Sequence, residues 1–172
     1  MLDILFFGSV SFYVVSIAFN LAALAAKKES IHRLVWMVFL AGFTIHLAFF
    51  VSRGIVAGRL PLANQFEFAM SFALGISLIY IVLRLKFRIT WITTIALISV
   101  GMIMIYAAFQ PRVIRDLMPA LRSPWFTLHI IPAVFSYAAF LLAGCTGLKY
   151  LLALGKGEQE DSVLMRQMDH FS

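Results

Sequence analysis

Five stretches of this chain, residues 2–26, 34–52, 68–83, 89–109 and 128–154, carry almost no charged side chain. Crossing the hydrocarbon of a bilayer takes about 20 apolar residues as a helix. Lipid offers no partner to a peptide N–H or C=O, so each stretch must satisfy its own backbone and is expected to be α-helical. The remaining composition agrees, since only 13% of the 172 residues are charged, against roughly 25% for soluble domains. The expectation is an all-α polytopic integral membrane protein. It has about five transmembrane helices in a domain over residues 1–154, followed by a polar tail over residues 155–172. The third stretch is short, and Lys149 near the end of the fifth can snorkel to the interface.

The N-terminus superficially suits a secretory signal, because "LAALAAKK" has the small residues of a cleavage site. The opening "MLD" carries no Lys or Arg, however, and the apolar run is too long for a signal core, so a permanent span is expected.

Counted over alternate connections, one side of the membrane has Lys27, Lys28, Arg33, Arg84, Lys86, Arg88, Lys149, Lys156 and Arg166. The other has Arg53, Arg59, Arg112, Arg115 and Arg122. The positive-inside rule makes the first side cytoplasmic, with the N-terminus outside and the C-terminus inside the cell's inner membrane. Every basic residue on the outer side is Arg, which pairs in planar, bidentate fashion with carboxylates and phosphates. Lipid headgroups and an acidic ligand both answer that description. The basic pI of about 9.8 does not call for nucleic acid, because the inner lysines are accounted for by topology. The single Cys145 excludes a dithiol relay or a C-x-x-C haem attachment site within the chain, and a small buried hydrophobe is its expected role.

Two polar segments interrupt the apolar pattern. In "GRLPLANQFEFA", Gly54 just upstream, Gly58 and Pro61 break the second helix, and Asn64 with Glu67 has the spacing of an N-cap and its acidic N3 residue. Capping explains Asn64 and Glu67 but leaves Arg59, Phe66 and Phe68 without a task. In "QPRVIRDLMPALRSPWFTLH", the spacing of Arg112, Arg115 and Arg122 among apolar residues suits a short helix on the membrane surface. Ser123 and Pro124 read as N-cap and N1 of the fifth helix, and Trp125 as an interfacial aromatic.

Two histidines fall inside expected spans. His129 lies in the second turn of the fifth helix, and Pro132 beyond it frees the carbonyl of Leu128. His46 lies seven residues before Arg53, about 10 Å below the outer end. Intramembrane ionisable groups are costly, and either ring suits axial ligation of a haem iron or a hydrogen bond to a neighbouring helix. At comparable depths the two could also sandwich one iron. His32 and His170 sit in polar cytoplasmic segments and are expected to be solvated.

From residue 54 to its end the chain resembles the cytochrome c assembly family, in particular its System II (Ccs/Res-type) haem-handling membrane proteins. One motif is Gly58, Arg59, Pro61, Asn64, Phe66 and Glu67; the other is Trp125, His129, Ile130 and Tyr137. The family's Trp-rich haem segment, W-G-x-x-W-x-W-D, does not occur in these 172 residues. The resemblance implies presentation of haem b near the outer face and its covalent attachment to apocytochrome c. His129 would be an axial ligand, with Trp125 beside it. His46 is a weaker candidate ligand, and Arg59, Arg112, Arg115 and Arg122 are candidates to meet the haem propionates. The implied partners are apocytochrome c and a second membrane polypeptide carrying the Trp-rich segment. Any holocytochrome c synthase activity would belong to the assembled complex. Two other readings stay open: a regulatory or structural membrane subunit that modulates haem biosynthesis, and a haem b electron-transfer subunit.

Overall fold

A computed structural model describes residues 1–26, 29–86, 92–114 and 122–155. It is all-α: α1 (Leu2–Ala26), α2 (Glu29–Ala57), α3 (Gln65–Lys86), α4 (Thr93–Ala108) and α5 (Pro124–Gly155). Four of these are long and apolar enough to cross a membrane, and α4 is a shorter apolar helix. At about 1.5 Å rise per residue its 16 residues span roughly 24 Å, slightly less than a typical hydrocarbon core.

The helices pack through seams that reverse the pattern of a soluble protein. The buried side of α1 is Phe6, Ser9, Tyr13, Ser16, Asn20 and Ala23, at alternating steps of three and four. On α2 the buried side is Val35, Phe39, Gly42, His46, Phe49 and Arg53, with the same alternation. Such spacing keeps one seam facing a left-handed partner, and the polar groups sit inside while Phe7, Val14, Val15 and Leu21 of α1 face outward. A Cβ at Gly42 would lie 3.0 Å from Cβ of Phe12, so glycine sets how closely α1 and α2 approach.

Side-chain contacts identify the two ends of the bundle. Asp3 at the start of α1, Arg53 near the end of α2, Glu67 at the start of α3 and Arg112 just past α4 meet at one end. At the other, Asn20 donates to Oγ1 of Thr94 at 2.9 Å, Tyr80 donates to Oγ1 of Thr93 at 2.9 Å, and Arg84 lies over Trp36. The helices α1 to α4 therefore run antiparallel in succession. α3 is the most enclosed, and α5 rests on it through Val134 and Ala138, which flank Gly75.

From α2 onward, the helix bounds shift by one to five residues from the sequence expectation, most consequentially at the end of α2. The second helix continues past residue 52 to Ala57, because Arg53 is neutralised inside the bundle instead of marking its edge. Gly58, at φ 64°, then ends it: its N–H reaches the Ile55 carbonyl and the Arg59 N–H reaches the Gly54 carbonyl, a Schellman closure. Gly54 belongs to the helix itself, and a Cβ there would come within 3.4 Å of the Arg59 carbonyl and 3.6 Å of Pro61 Cδ, so its small size lets the loop fold back. The surface helix expected around Arg115 and the tail over 156–172 lie outside the described residues; of that first segment, residues 111–114 are irregular.

Candidate functional site

Glu67 is the hub of the turn that joins α2 and α3. Oδ1 of Asn64 accepts the Glu67 N–H at 2.8 Å, so Asn64 is the N-cap and Glu67 stands at N3. The Glu67 side chain reaches back to the Ala63 N–H at 2.9 Å, one residue before the cap. The same carboxylate holds two guanidinium groups. Arg53 donates from Nε at 3.1 Å and from an Nη at 2.9 Å to Oε1, and Arg59 donates to Oε2 at 2.8 Å. Glu67 is fully buried, Arg53 nearly so, and Arg59 is 13% exposed at its side chain. Asn64→Ala should lower stability by about 1 kcal/mol, the usual loss of a good N-cap, read from thermal unfolding in detergent.

Arg53 uses its third donor on the backbone carbonyl of Arg112 at 3.0 Å, tying the segment after α4 to the α2–α3 turn. Its guanidinium also lies over the Phe66 ring, 4.7 Å from the centroid. Arg112 in turn pairs with Asp3 at 3.1 Å, bonds the Ala108 carbonyl and sits over Phe7. Beside these groups is an open cavity of about 750 Å³ lined by Asp3, Arg53, Arg112, Gln110, Leu2 and Phe49 among others. An apolar floor with a guanidinium rim can take an amphiphile that bears a carboxylate or phosphate.

The candidate arginines are thus distributed unevenly. Arg112 lines this cavity, Arg59 is engaged by Glu67, Arg122 is exposed ahead of α5, and Arg115 lies outside the described residues. Arg53, which the sequence reading placed only as an outer basic residue, is the most buried of the described arginines in this group. A lone Arg in an apolar helix, with a Glu opening the next helix, was the available signal for the pair.

His46 has no exposed surface. Its Nδ1 is 3.2 Å from the Tyr13 hydroxyl, which also lies 3.4 Å from Oγ of Ser77. Nε2 is buried without a hydrogen-bond partner among the described residues. The cluster joins α1, α2 and α3 in mid-bundle, about 10 Å below Arg53 at helical rise.

His129 has the opposite surroundings. Ser123 and Pro124 start α5 as N-cap and N1, with the Trp125 N–H on Oγ of Ser123 at 3.3 Å. The helix then runs through Pro132 without ending. Trp125 is 78% exposed, and His129 is exposed one turn later with no hydrogen bond or ion pair among the described residues. His129 points away from the Val134–Ala138 face that rests on α3, whereas His46 is enclosed by α1 to α3, so the two rings do not face each other. Among the described residues no group of three or more His, Cys, Asp and Glu is arranged to hold a metal ion.

Residues 62–169, well over half the chain, match the family model described as Cytochrome C assembly protein. The chain is also similar to proteins named Cytochrome c biogenesis protein CcsA. Identity to that of Prochlorococcus marinus (strain MIT 9301) is 28% over 145 residues, covering 81% of this chain and 46% of the relative. For that of Picosynechococcus sp. (strain ATCC 27264 / PCC 7002 / PR-6) it is 29% over 112 residues, covering 63% and 33%. For Amborella trichopoda it is 26% over 149 residues, covering 83% and 48%. The chain spans about half the length of these relatives or less. With the Asn64–Glu67 turn and His129 both inside the matched segment, this multi-spanning membrane protein belongs to the cytochrome c assembly protein family.

Proposed function

We propose that this chain is part of a membrane complex for cytochrome c maturation. It would hold haem b near the outer face of the cell's inner membrane for covalent attachment to apocytochrome c. The observation that carries the reading is His129. It is an exposed imidazole in the second turn of α5, without a partner among the described residues, inside the segment matched by the family. A free imidazole of that kind fits one axial position of a haem iron. Bound there, haem would supply the vinyl groups that meet the cysteines of an apocytochrome. A second ligand would come from outside the described residues, since His46 is enclosed with Tyr13 and Ser77.

The bundle end that carries Glu67 is outside in this reading, with the N-terminus there and the tail in the cytoplasm, because nine basic residues against five sit on the opposite side. Arg112, with Arg53 behind it, offers guanidinium donors at the rim of the outer cavity for haem propionates. Arg59 serves chiefly to hold Glu67, so Arg59→Gln should loosen the turn more than it weakens haem retention. With Cys145 replaced by Ala, thiol labelling of single cysteines introduced at positions 30 and 120 tests the orientation. Position 120 should label from outside and position 30 only after permeabilisation; the reverse would invert the topology.

The direct test is the absorption spectrum of the complex purified from native membranes. His129→Ala should shift or abolish the haem bands, because an axial nitrogen sets the ligand field. Bands identical to those of the parent would remove His129 from the site. The electron-transfer reading is less favoured, since it needs a ligand pair within the chain.

A further inference from the structure

Three arginines at the Glu67 end are matched to carboxylates: Arg53 and Arg59 share Glu67, and Arg112 pairs with Asp3. Arg84, at the opposite end of the bundle, is half-buried and has no carboxylate partner among the described residues. It stands seventeen positions along α3 from Glu67. At helical rise that is about 26 Å, nearly one hydrocarbon thickness, so the two charged groups mark opposite headgroup levels. A charge half-withdrawn from water and left unmatched is costly.

A neutral platform holds Arg84 in place. One terminal nitrogen, Nη1, donates to the Tyr80 hydroxyl at 3.1 Å and to Oγ1 of Thr93 at 3.2 Å. Tyr80 in turn donates to Thr93 at 2.9 Å, and both residues are buried. The guanidinium lies over the Trp36 ring, 4.6 Å from its centroid. Trp36 is stacked on Phe39 and meets Tyr80 edge-on, so the ring beside Arg84 is itself fixed. Three helices thus converge on one side chain: α2 through Trp36, α3 through Tyr80 and α4 through Thr93. None of these contacts uses Nε or Nη2 of Arg84. Those two nitrogens form an edge with which a guanidinium makes parallel bonds to two oxygens of a carboxylate or phosphate. The donor pair is therefore already oriented, and binding an anion there orders little further. Arg33, at the same end, is exposed and makes none of these contacts.

We infer that Arg84, on its Trp36–Tyr80–Thr93 platform, binds the phosphate of an anionic phospholipid. Phosphate presents two oxygens to the Nε–Nη2 edge. A lipid delivers them at the level where Arg84 sits, two residues before α3 ends at Lys86. Exposed Val82 and Leu85, on the last two turns of α3, offer apolar surface to the acyl chains. A zwitterionic headgroup suits the site less, because it brings a cation to an end already rich in Lys and Arg. An inorganic phosphate ion carries the same oxygens without the chains. The site stands apart from the proposed haem role, since Arg84, Trp36, Tyr80 and Thr93 have no part in it.

The test titrates phosphatidylglycerol into the full chain in dodecyl maltoside and counts bound lipids by native mass spectrometry. The parent should take up one phosphatidylglycerol well before a second, and should prefer it to phosphatidylcholine. No preference in the parent would overturn the inference, whatever the variants do. Arg84→Lys keeps the charge but loses the paired edge, and should weaken the first lipid about tenfold, the order of one lost charge-assisted hydrogen bond. Trp36→Leu keeps the guanidinium but releases it from the stack, and should weaken the same lipid by a smaller factor. Melting temperatures without added lipid verify that each variant is folded. Arg33→Gln removes an exposed charge from the same end and should bind the first lipid as the parent does. Unchanged binding in Arg84→Lys, or an equal loss in Arg33→Gln, would overturn the site in favour of diffuse attraction. Phosphatidylglycerol should raise the melting temperature of the parent, and inorganic phosphate should not. An equal rise with inorganic phosphate would assign the edge to a soluble anion and overturn the lipid.

Discussion

Glu67→Ala should destabilise the folded bundle by about 3–5 kcal/mol, the usual result of removing one member of a buried ion pair. The carboxylate accepts from Arg53, Arg59 and the Ala63 N–H, and none of it is exposed. Its loss leaves the Arg53 charge buried and uncompensated, with the Arg112 carbonyl and the Phe66 ring as its remaining partners among the described residues. Glu67→Gln should recover little, because an amide keeps one acceptor oxygen but cannot balance two guanidinium groups. Replacing Arg53 and Glu67 together by Met and Leu should cost less than Glu67→Ala, since no buried charge of the pair is then left alone. Thermal unfolding in detergent, or loss of the folded species in lipid, reads all three. A Glu67→Ala protein as stable as the parent would mean that water reaches the cluster.

Gly75→Leu should detach α5 from α3. An added Cβ alone would stand 3.3 Å from a Val134 methyl, 3.6 Å from the Ala138 Cβ and 3.7 Å from the Val134 backbone carbonyl. Backbone cannot yield as a side-chain tip can, so the rest of a leucine has no room while α5 stays seated. Overpacking of this kind costs about 1–3 kcal/mol, and α5 touches α4 far less than α3. The expected result is a bundle of α1 to α4 that persists while protease cuts near residue 123 become much faster. Gly147→Leu, on the opposite side of α5 from that contact, should show neither effect. Equal protease resistance in the Gly75→Leu protein would mean that α5 is held by something other than α3.

The helices were legible because lipid leaves the backbone one solution, so charge-free length alone located them. The caps were legible too, because Asn64–Glu67 and Ser123–Pro124 act within four residues of each other and depend on no distant partner. What the sequence could not show was which side of each helix meets which neighbour. Arg53 and Glu67 are fourteen positions apart, and Tyr13, His46 and Ser77 come from three helices, so their pairing is a property of packing. In a membrane the usual guide fails, since apolar residues line both the interior and the outer surface. The polar residues are then the better markers, and the buried seam of α1 is read from Ser9, Ser16 and Asn20 more readily than from its phenylalanines. The same reasoning separates the two histidines. His46 is enclosed with Tyr13 and Ser77, and His129 is exposed in the second turn of α5, which is why the proposed haem role falls on it.

Covalent haem in the c-type cytochromes of the source cell tests the proposed role most directly. Cells lacking this chain should lose the haem-stained c-type bands on denaturing gels while the apocytochromes and total cellular haem persist. The parent chain should restore those bands, and His129→Ala should not. Normal c-type bands in the deletion strain, with total haem changed instead, would contradict a role in cytochrome c maturation and point to control of haem synthesis.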